Sequence, residues 1–145
     1  MSEQKTRVVI IDDEPETVEL LIAYFKLIKL EAYGAFTGKS GLKAIAEHHP
    51  NVVVLDLMLP DMDGFVICEE LRKDPATAKL PVVILSARTS REDVRRGYAA
   101  GATRYLKKPV DLDRLATEVK RVAASGEHKP PTEEQQQADA TARSS

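Results

Sequence analysis

The sequence holds a single cysteine, Cys68, in 145 residues, so no disulfide can form within the chain, and the free thiol suits a reducing, cytoplasmic setting. No apolar run approaches the roughly 18 residues of a membrane span, and the polar, acidic start does not resemble a signal peptide. An excess of one charge is missing as well. The 21 basic residues stand against 23 acidic ones for a net charge of −2, which gives no electrostatic basis for binding nucleic acid. The segment from Ser125 onward carries two of the basic and four of the acidic residues, so the body is balanced. There is no Walker loop and no G-x-G-x-x-G pattern, hence no nucleotide cradle of a known type. There is also no internal repeat. A chain of this length builds one ordinary domain.

What is present is an alternation of short apolar runs and helical periodicities. Arg7–Ile11 reads as a first strand that runs into Asp12-Asp13-Glu14. Pro15 suits a first helical turn, and Val18, Leu21, Ile22, Phe25 and Ile28 recur at helical spacing as an inward face. Residues 32–36 are a short second strand, and Thr37 is placed to cap a helix through His48. His48 and His49 read as solvated helix-end residues before Pro50, because neighbours in sequence point apart on a helix. Val52-Val53-Val54-Leu55 has the composition of a central strand buried on both faces, and it delivers Asp56 into a loop containing Pro60 and Gly64. A helix over 65–73 follows, with Cys68 as a small core residue between Phe65 and Leu71. A fourth strand over 81–86 ends on Ser86. Ser90 caps a helix to about Ala100, ended by Gly101. Residues 104–107 form a fifth strand, closed by Lys108-Pro109, and Leu112, Leu115, Val119 and Val122 give the last helix its inward face. Five alternations predict a parallel α/β sheet with helices on both sides. The expected organisation is a frayed start at 1–6, a domain at 7–124, and a disordered tail or linker over 125–145 whose composition builds no core.

The polar residues at the strand ends form one set. Asp12 and Asp13 follow the first strand, Asp56 the third, Ser86 the fourth and Lys108 the fifth. Open parallel sheets bind ligands at the carboxyl ends of their strands. Three carboxylates gathered there repel one another without a cation, and two or three carboxylates plus a backbone carbonyl suffice for magnesium. A site of this kind fits a hard cation and a phosphoryl group. Asp56 is then the nucleophile, Lys108 neutralises phosphoryl oxygens, and Ser86 donates to the phosphoryl once it has arrived.

The segments Ile11-Asp12-Asp13-Glu14, Asp56-Leu57-Met58-Leu59-Pro60-Asp61-Met62-Asp63-Gly64, Ser86-Ala87, and Gly101-Ala102 with Tyr105-Leu106-Lys107-Lys108-Pro109 together resemble the receiver domain of two-component response regulators, of the chemotaxis-regulator type. The resemblance covers residues 6–124. It implies a flavodoxin-like, doubly wound five-stranded sheet in the order 2-1-3-4-5 with five helices, and a magnesium-dependent aspartyl phosphorylation site. By that resemblance Asp56 is the phosphoacceptor and Asp13 the direct magnesium ligand. Asp12 acts largely through water, and the Met58 carbonyl completes the protein ligands. Ser86, with Ala87 beside it, is the switch hydroxyl. Lys108 is the phosphoryl-binding lysine, Lys108–Pro109 a cis bond, and Tyr105 the aromatic switch position. Val110 departs from the Phe frequent after this proline, and Met58 and Arg88 occupy positions that tune phosphoryl lifetime in the family.

The implied partners are a histidine kinase or histidine phosphotransfer protein and a downstream protein target, with neither nucleic acid nor membrane contacted directly and a phosphorylation-dependent homodimer allowed. Leu20, Tyr24 and Leu27 make a second apolar stripe on the first helix, either partly covered by its neighbour or a kinase-docking surface. Two rival classes remain. An aspartyl-phosphate phosphohydrolase acting on small metabolites usually places a second carboxylate two residues past its nucleophile, where this chain has Met58, and needs a substrate pocket that no loop here is long enough to build. A pseudo-receiver working without phosphorylation would not need the intact set Asp12, Asp13, Asp56, Ser86 and Lys108.

Overall fold

The computed structural model of the protein describes residues 5–141. Five strands, β1 (Arg7–Ile11), β2 (Glu31–Ala35), β3 (Val52–Leu55), β4 (Val82–Ser86) and β5 (Arg104–Lys107), alternate with α1 (Pro15–Leu27), α2 (Gly38–His48), α3 (Gly64–Lys73), α4 (Arg91–Ala100) and α5 (Leu112–Ser125). The strands pair in parallel in the order β2-β1-β3-β4-β5. Central strands β1, β3 and β4 are apolar because both faces are covered. Val9, Ile11, Val53 and Leu55 face the core shared with α2, α3 and α4, while Val8, Ile10, Val52 and Val54 face α1 and α5.

Local chemistry fixes the helix starts. Thr37 and Ser40 form a reciprocal capping box on α2, the Ser90 hydroxyl accepts from the Asp93 amide of α4, and the Asp63 carboxylate accepts from the Phe65 amide of α3. Each satisfies a backbone donor that the first helical turn leaves unpaired. Cys68 is fully buried in α3.

Two expectations change. His48 is not a solvated helix end, since its ring stacks on Tyr33 with centroids 3.7 Å apart. The segment after Ser125 is not without structure: α6 (Glu133–Thr141) is a sixth helix, one more than the alternation indicates. It lies against α4, with Ala140 packed on the core and Asp139 buried. The composition of the segment hid this, because α6 is seated by one buried carboxylate and one small residue and has no apolar stripe of its own. Residues 1–4 and 142–145, parts of the expected frayed start and tail, lie outside the described residues.

Candidate functional site

The sheet brings three strand ends together by backbone hydrogen bonds that continue each ladder one step past the strands. The Asp56 amide donates to the Ile11 carbonyl at 2.9 Å, the Asp12 amide to Ala35 at 3.1 Å, and the Lys108 amide to Ser86 at 2.9 Å. Asp12 and Asp56 are thereby held nearly buried, at 3% and 6% exposure, while Asp13 faces solvent. The three residues each offer one carboxylate oxygen, and these oxygens lie within 4.8 Å of one another.

Lys108 offsets part of this repulsion. Its Nζ lies 2.8 Å from Asp12 Oδ2 and 3.2 Å from Asp56 Oδ2, with Glu14 Oε1 at 3.7 Å. Burial pulls the ammonium toward neutrality, but the Asp12 hydrogen bond and the Asp56 and Asp12 charges together outweigh it and raise its pKa above the ordinary lysine value. Lys108 is therefore a fixed cation at any physiological pH. The peptide bond after it, Lys108–Pro109, is cis.

The loop after β3 is built to stay in place. Its Met58 amide reaches the other Asp56 oxygen at 3.3 Å, and Met58 pairs back across the loop with Asp63. Asp61 accepts from the Gly38 and Lys39 amides at the start of α2, at 2.7 and 2.9 Å. Those two bonds, Lys39 first, hold the Asp61 carboxyl below its usual range. Gly64 lets α3 start directly against the strand end, because a Cβ there would sit 2.6 Å from Leu57 Cα and 2.8 Å from the Asp56 carbonyl oxygen.

On the other side, Ser86 is fully buried, and its hydroxyl accepts from the Arg88 amide at 3.2 Å. Ala87 next to it is exposed. Tyr105 is buried under α4, and its hydroxyl donates to the Arg88 carbonyl. The structure thus gathers Asp12, Asp13, Asp56, Met58, Ser86 and Lys108 at one edge of the sheet. Tyr105 lies one step away, joined through Arg88.

The stripe on α1 divides. Leu20 and Leu27 are exposed, Leu27 to 78%, whereas Tyr24 leans on the core beside α5, and its hydroxyl donates to Asp113. Sequence reasoning missed the Asp61 bridge to α2 and the buried ion cluster of Arg104, Glu118 and Asp139. In both, the partners are far apart in sequence and no spacing marks them.

Oxygen-only donors gathered this closely suit a hard divalent cation rather than a soft one. A cavity of about 460 Å³ lies between α2 and α3, lined by Ile45, His49, Pro50, Leu71 and Thr77 among others. It is at the opposite edge, where β3 and β4 begin, and contains none of the residues above. No described helix is long and apolar enough to cross a membrane.

Comparison with known proteins agrees with this arrangement. The family model of the response regulator receiver domain matches residues 8–120. The DNA-binding dual master transcriptional regulator RpaA of Synechocystis sp. is 35% identical over 114 residues, covering 79% of this chain and 47% of that protein. The transcriptional regulatory protein KdpE of Mycobacterium tuberculosis is 39% identical over 130 residues, covering 87% of this chain and 56% of that one. Among solved structures, the receiver domain of the Francisella response regulator 1452 superposes with a TM-score of 0.78 at 30% identity, over 83% of this chain and 98% of that one. The chemotaxis response regulator CheY4 of Vibrio cholerae gives 0.77 at 25% identity, over 82% and 99%. The chain spans about half the length of these two curated relatives. It belongs to the response regulator receiver domain family.

Proposed function

We propose that the protein is a cytoplasmic, magnesium-dependent phosphorylation switch that accepts a phosphoryl group on Asp56 from a histidine kinase or histidine phosphotransfer protein. One observation carries this reading: a nearly buried Asp56 at a strand end shares Lys108 with Asp12, and oxygens of Asp12, Asp13 and Asp56 lie within 4.8 Å of one another. An Asp56 carboxylate oxygen attacks phosphorus in line. The P–N bond to the donor imidazole breaks as the P–O bond forms, and the imidazole nitrogen keeps the electron pair. Asp12, Asp13, Asp56 and the Met58 carbonyl are the residues that would hold magnesium, which supplies positive charge to the phosphoryl oxygens when bound. Lys108 adds a second, permanent charge to the same oxygens, and Ser86 donates its hydroxyl to one of them.

The switch follows from the new charge. Ser86 and Lys108 engage a phosphoryl on Asp56 only if the loop carrying Arg88 moves inward, which takes the Arg88 carbonyl from the Tyr105 hydroxyl and lets that ring turn. The face of α4, β5 and α5 is remodelled for a downstream protein or a second copy of the chain. Leu20 and Leu27 are the docking pair for the donor. Covering both would contribute on the order of 3 kcal/mol, at roughly 1.5 kcal/mol each. Its only catalysis is of its own phosphorylation and dephosphorylation. Exposed Met58, in place of a second carboxylate, disfavours a metabolite phosphatase.

Magnesium and acetyl phosphate should label the wild type and leave Asp56→Ala unlabelled in intact-protein mass spectra. Ser86→Ala should label without the amide shifts over α4 and β5 that accompany labelling of the wild type. Equal shifts in both would refute the coupling, and a labelled Asp56→Ala would refute the acceptor.

A further inference from the structure

The helix that the sequence did not announce is held by an unusual anchor. Asp139 is 5% exposed. It accepts from the Tyr98 hydroxyl, from Arg104 Nη2 at 3.2 Å and from Gln135 Nε2 at 3.0 Å. Tyr98 belongs to α4 and Arg104 to β5, so one carboxylate of α6 bridges two elements of the domain. Burying a charge is tolerated only when it is paired and hydrogen-bonded, and this seat supplies both. Arg104 is further fixed by Glu118 of α5, with both carboxylate oxygens at 2.7 Å from Nη1. The segment before α6 is pinned too: the His128 amide donates to the Lys79 carbonyl, and its Nδ1 lies 2.7 Å from the Thr103 hydroxyl.

The seat is joined to the site by a short run of hydrogen bonds. The Tyr98 hydroxyl that donates to Asp139 also accepts from the Tyr105 amide at 3.0 Å. The Tyr105 hydroxyl donates to the Arg88 carbonyl, and the Arg88 amide donates to Ser86 Oγ at 3.2 Å. The Tyr105 ring also sets the height of α4 over the sheet. It lies so close to Gly97 that a Cβ there would be 2.8 Å from Cδ2. A turn of this ring would therefore change the packing under Gly97 on α4, the helix that also carries Tyr98.

We propose that the α4–β5 face is a docking seat for a helix bearing a carboxylate, that α6 is its resident occupant, and that α6 leaves the seat when Asp56 is phosphorylated. The proposal rests on the phosphorylation reading above. Asp139 can accept from Tyr98 of α4 and Arg104 of β5 together only while those two elements keep their present relation, so α6 binds one of the two states preferentially. Linkage then requires the reverse effect: a docked α6 opposes the phosphorylated state. A protein that reads the phosphorylated state competes with α6 for this face.

The test uses the full chain. Hydrogen exchange over residues 133–141 is followed with and without magnesium and beryllofluoride, and beryllofluoride affinity is measured for wild type, Asp139→Ala and Asp139→Asn. Asp139 is buried between α6 and the domain, so thermal melts first check that both variants remain folded, and Asp139→Asn keeps the size of the side chain while removing its charge. Beryllofluoride should speed exchange in α6 about tenfold or more, the effect of losing one charge-assisted hydrogen bond. Both variants should show that faster exchange without it and bind beryllofluoride more tightly than wild type. If beryllofluoride shifts the amides around Asp56 and Ser86 while α6 exchange and variant affinities stay at wild-type values, the tail inference is wrong and the phosphorylation reading stands. If beryllofluoride produces no shift around Asp56 in the wild type, the phosphorylation reading fails and this inference fails with it.

Discussion

Replacing Asp13 by Asn should stabilise the metal-free protein. The ion pairs of Lys108 are with Asp12, Asp56 and Glu14, not with Asp13. Asp13 therefore adds a negative charge within 4.8 Å of two others without sharing their cation. At that separation one pair of charges costs roughly 3 kcal/mol at an effective dielectric constant of about 20, and roughly 1 kcal/mol at that of water. Asp13 faces solvent, so the lower figure applies, and Asp13→Asn should gain about 1 kcal/mol, or roughly 2–4 °C in melting temperature for a domain of this size. If magnesium binds as proposed, it should reverse the order. A ligand at 100 times its dissociation constant stabilises by about 2.7 kcal/mol, and the variant would lack one of the three clustered carboxylates that could hold the ion. Urea titrations of both proteins, in chelator and in saturating magnesium, read both effects. A variant less stable than wild type in chelator, or one that gains as much from magnesium, would refute the electrostatic account of the cluster.

Three further outcomes follow from groups away from the cluster. Glu118→Ala leaves buried Arg104 with Asp139 as its remaining partner and should destabilise by about 3 kcal/mol in urea unfolding, as breaking a buried ion pair does. Burial pushes the Cys68 thiol up to about 12, so a thiol reagent at pH 8 should label it only in denaturant, at the rate of global unfolding. Burial first, and then the Arg72 charge, hold the His128 imidazole down at about 4, against about 6.5 in an unfolded chain. The folded state resists that proton, so the contribution of His128 is whole above about pH 6.5 and is lost as pH falls toward 4. Exchange in α6 should accelerate over that window, and less so in His128→Asn.

The fold was legible because each level agreed with the next. Strands such as Val52–Leu55 are apolar at every position, as burial on both faces demands, and Thr37 and Ser90 mark helix starts that the structure realises with side-chain caps. The carboxylates, Ser86 and Lys108 were legible as a set because a parallel sheet puts successive strand ends on one edge. Pairings between distant residues were not. Arg104 reads as an ordinary strand residue, yet its charge is buried against Glu118 and Asp139, 14 and 35 residues away. Tyr24 illustrates the same limit: periodicity placed it with Leu20 and Leu27, but a hydroxyl contact to Asp113 on α5 takes it out of their exposed surface.

Borohydride reduction after treatment with acetyl phosphate and magnesium tests the acceptor most directly, since hydride converts an aspartyl phosphate to homoserine and leaves a free carboxylate untouched. Peptide mass spectrometry of the reduced chain should place homoserine at position 56, in the peptide that contains Leu55 and Leu57, and nowhere else. Homoserine at position 12 or 13, or a phosphoryl group retained on His48 or His49 with Asp56 unchanged, would contradict the account.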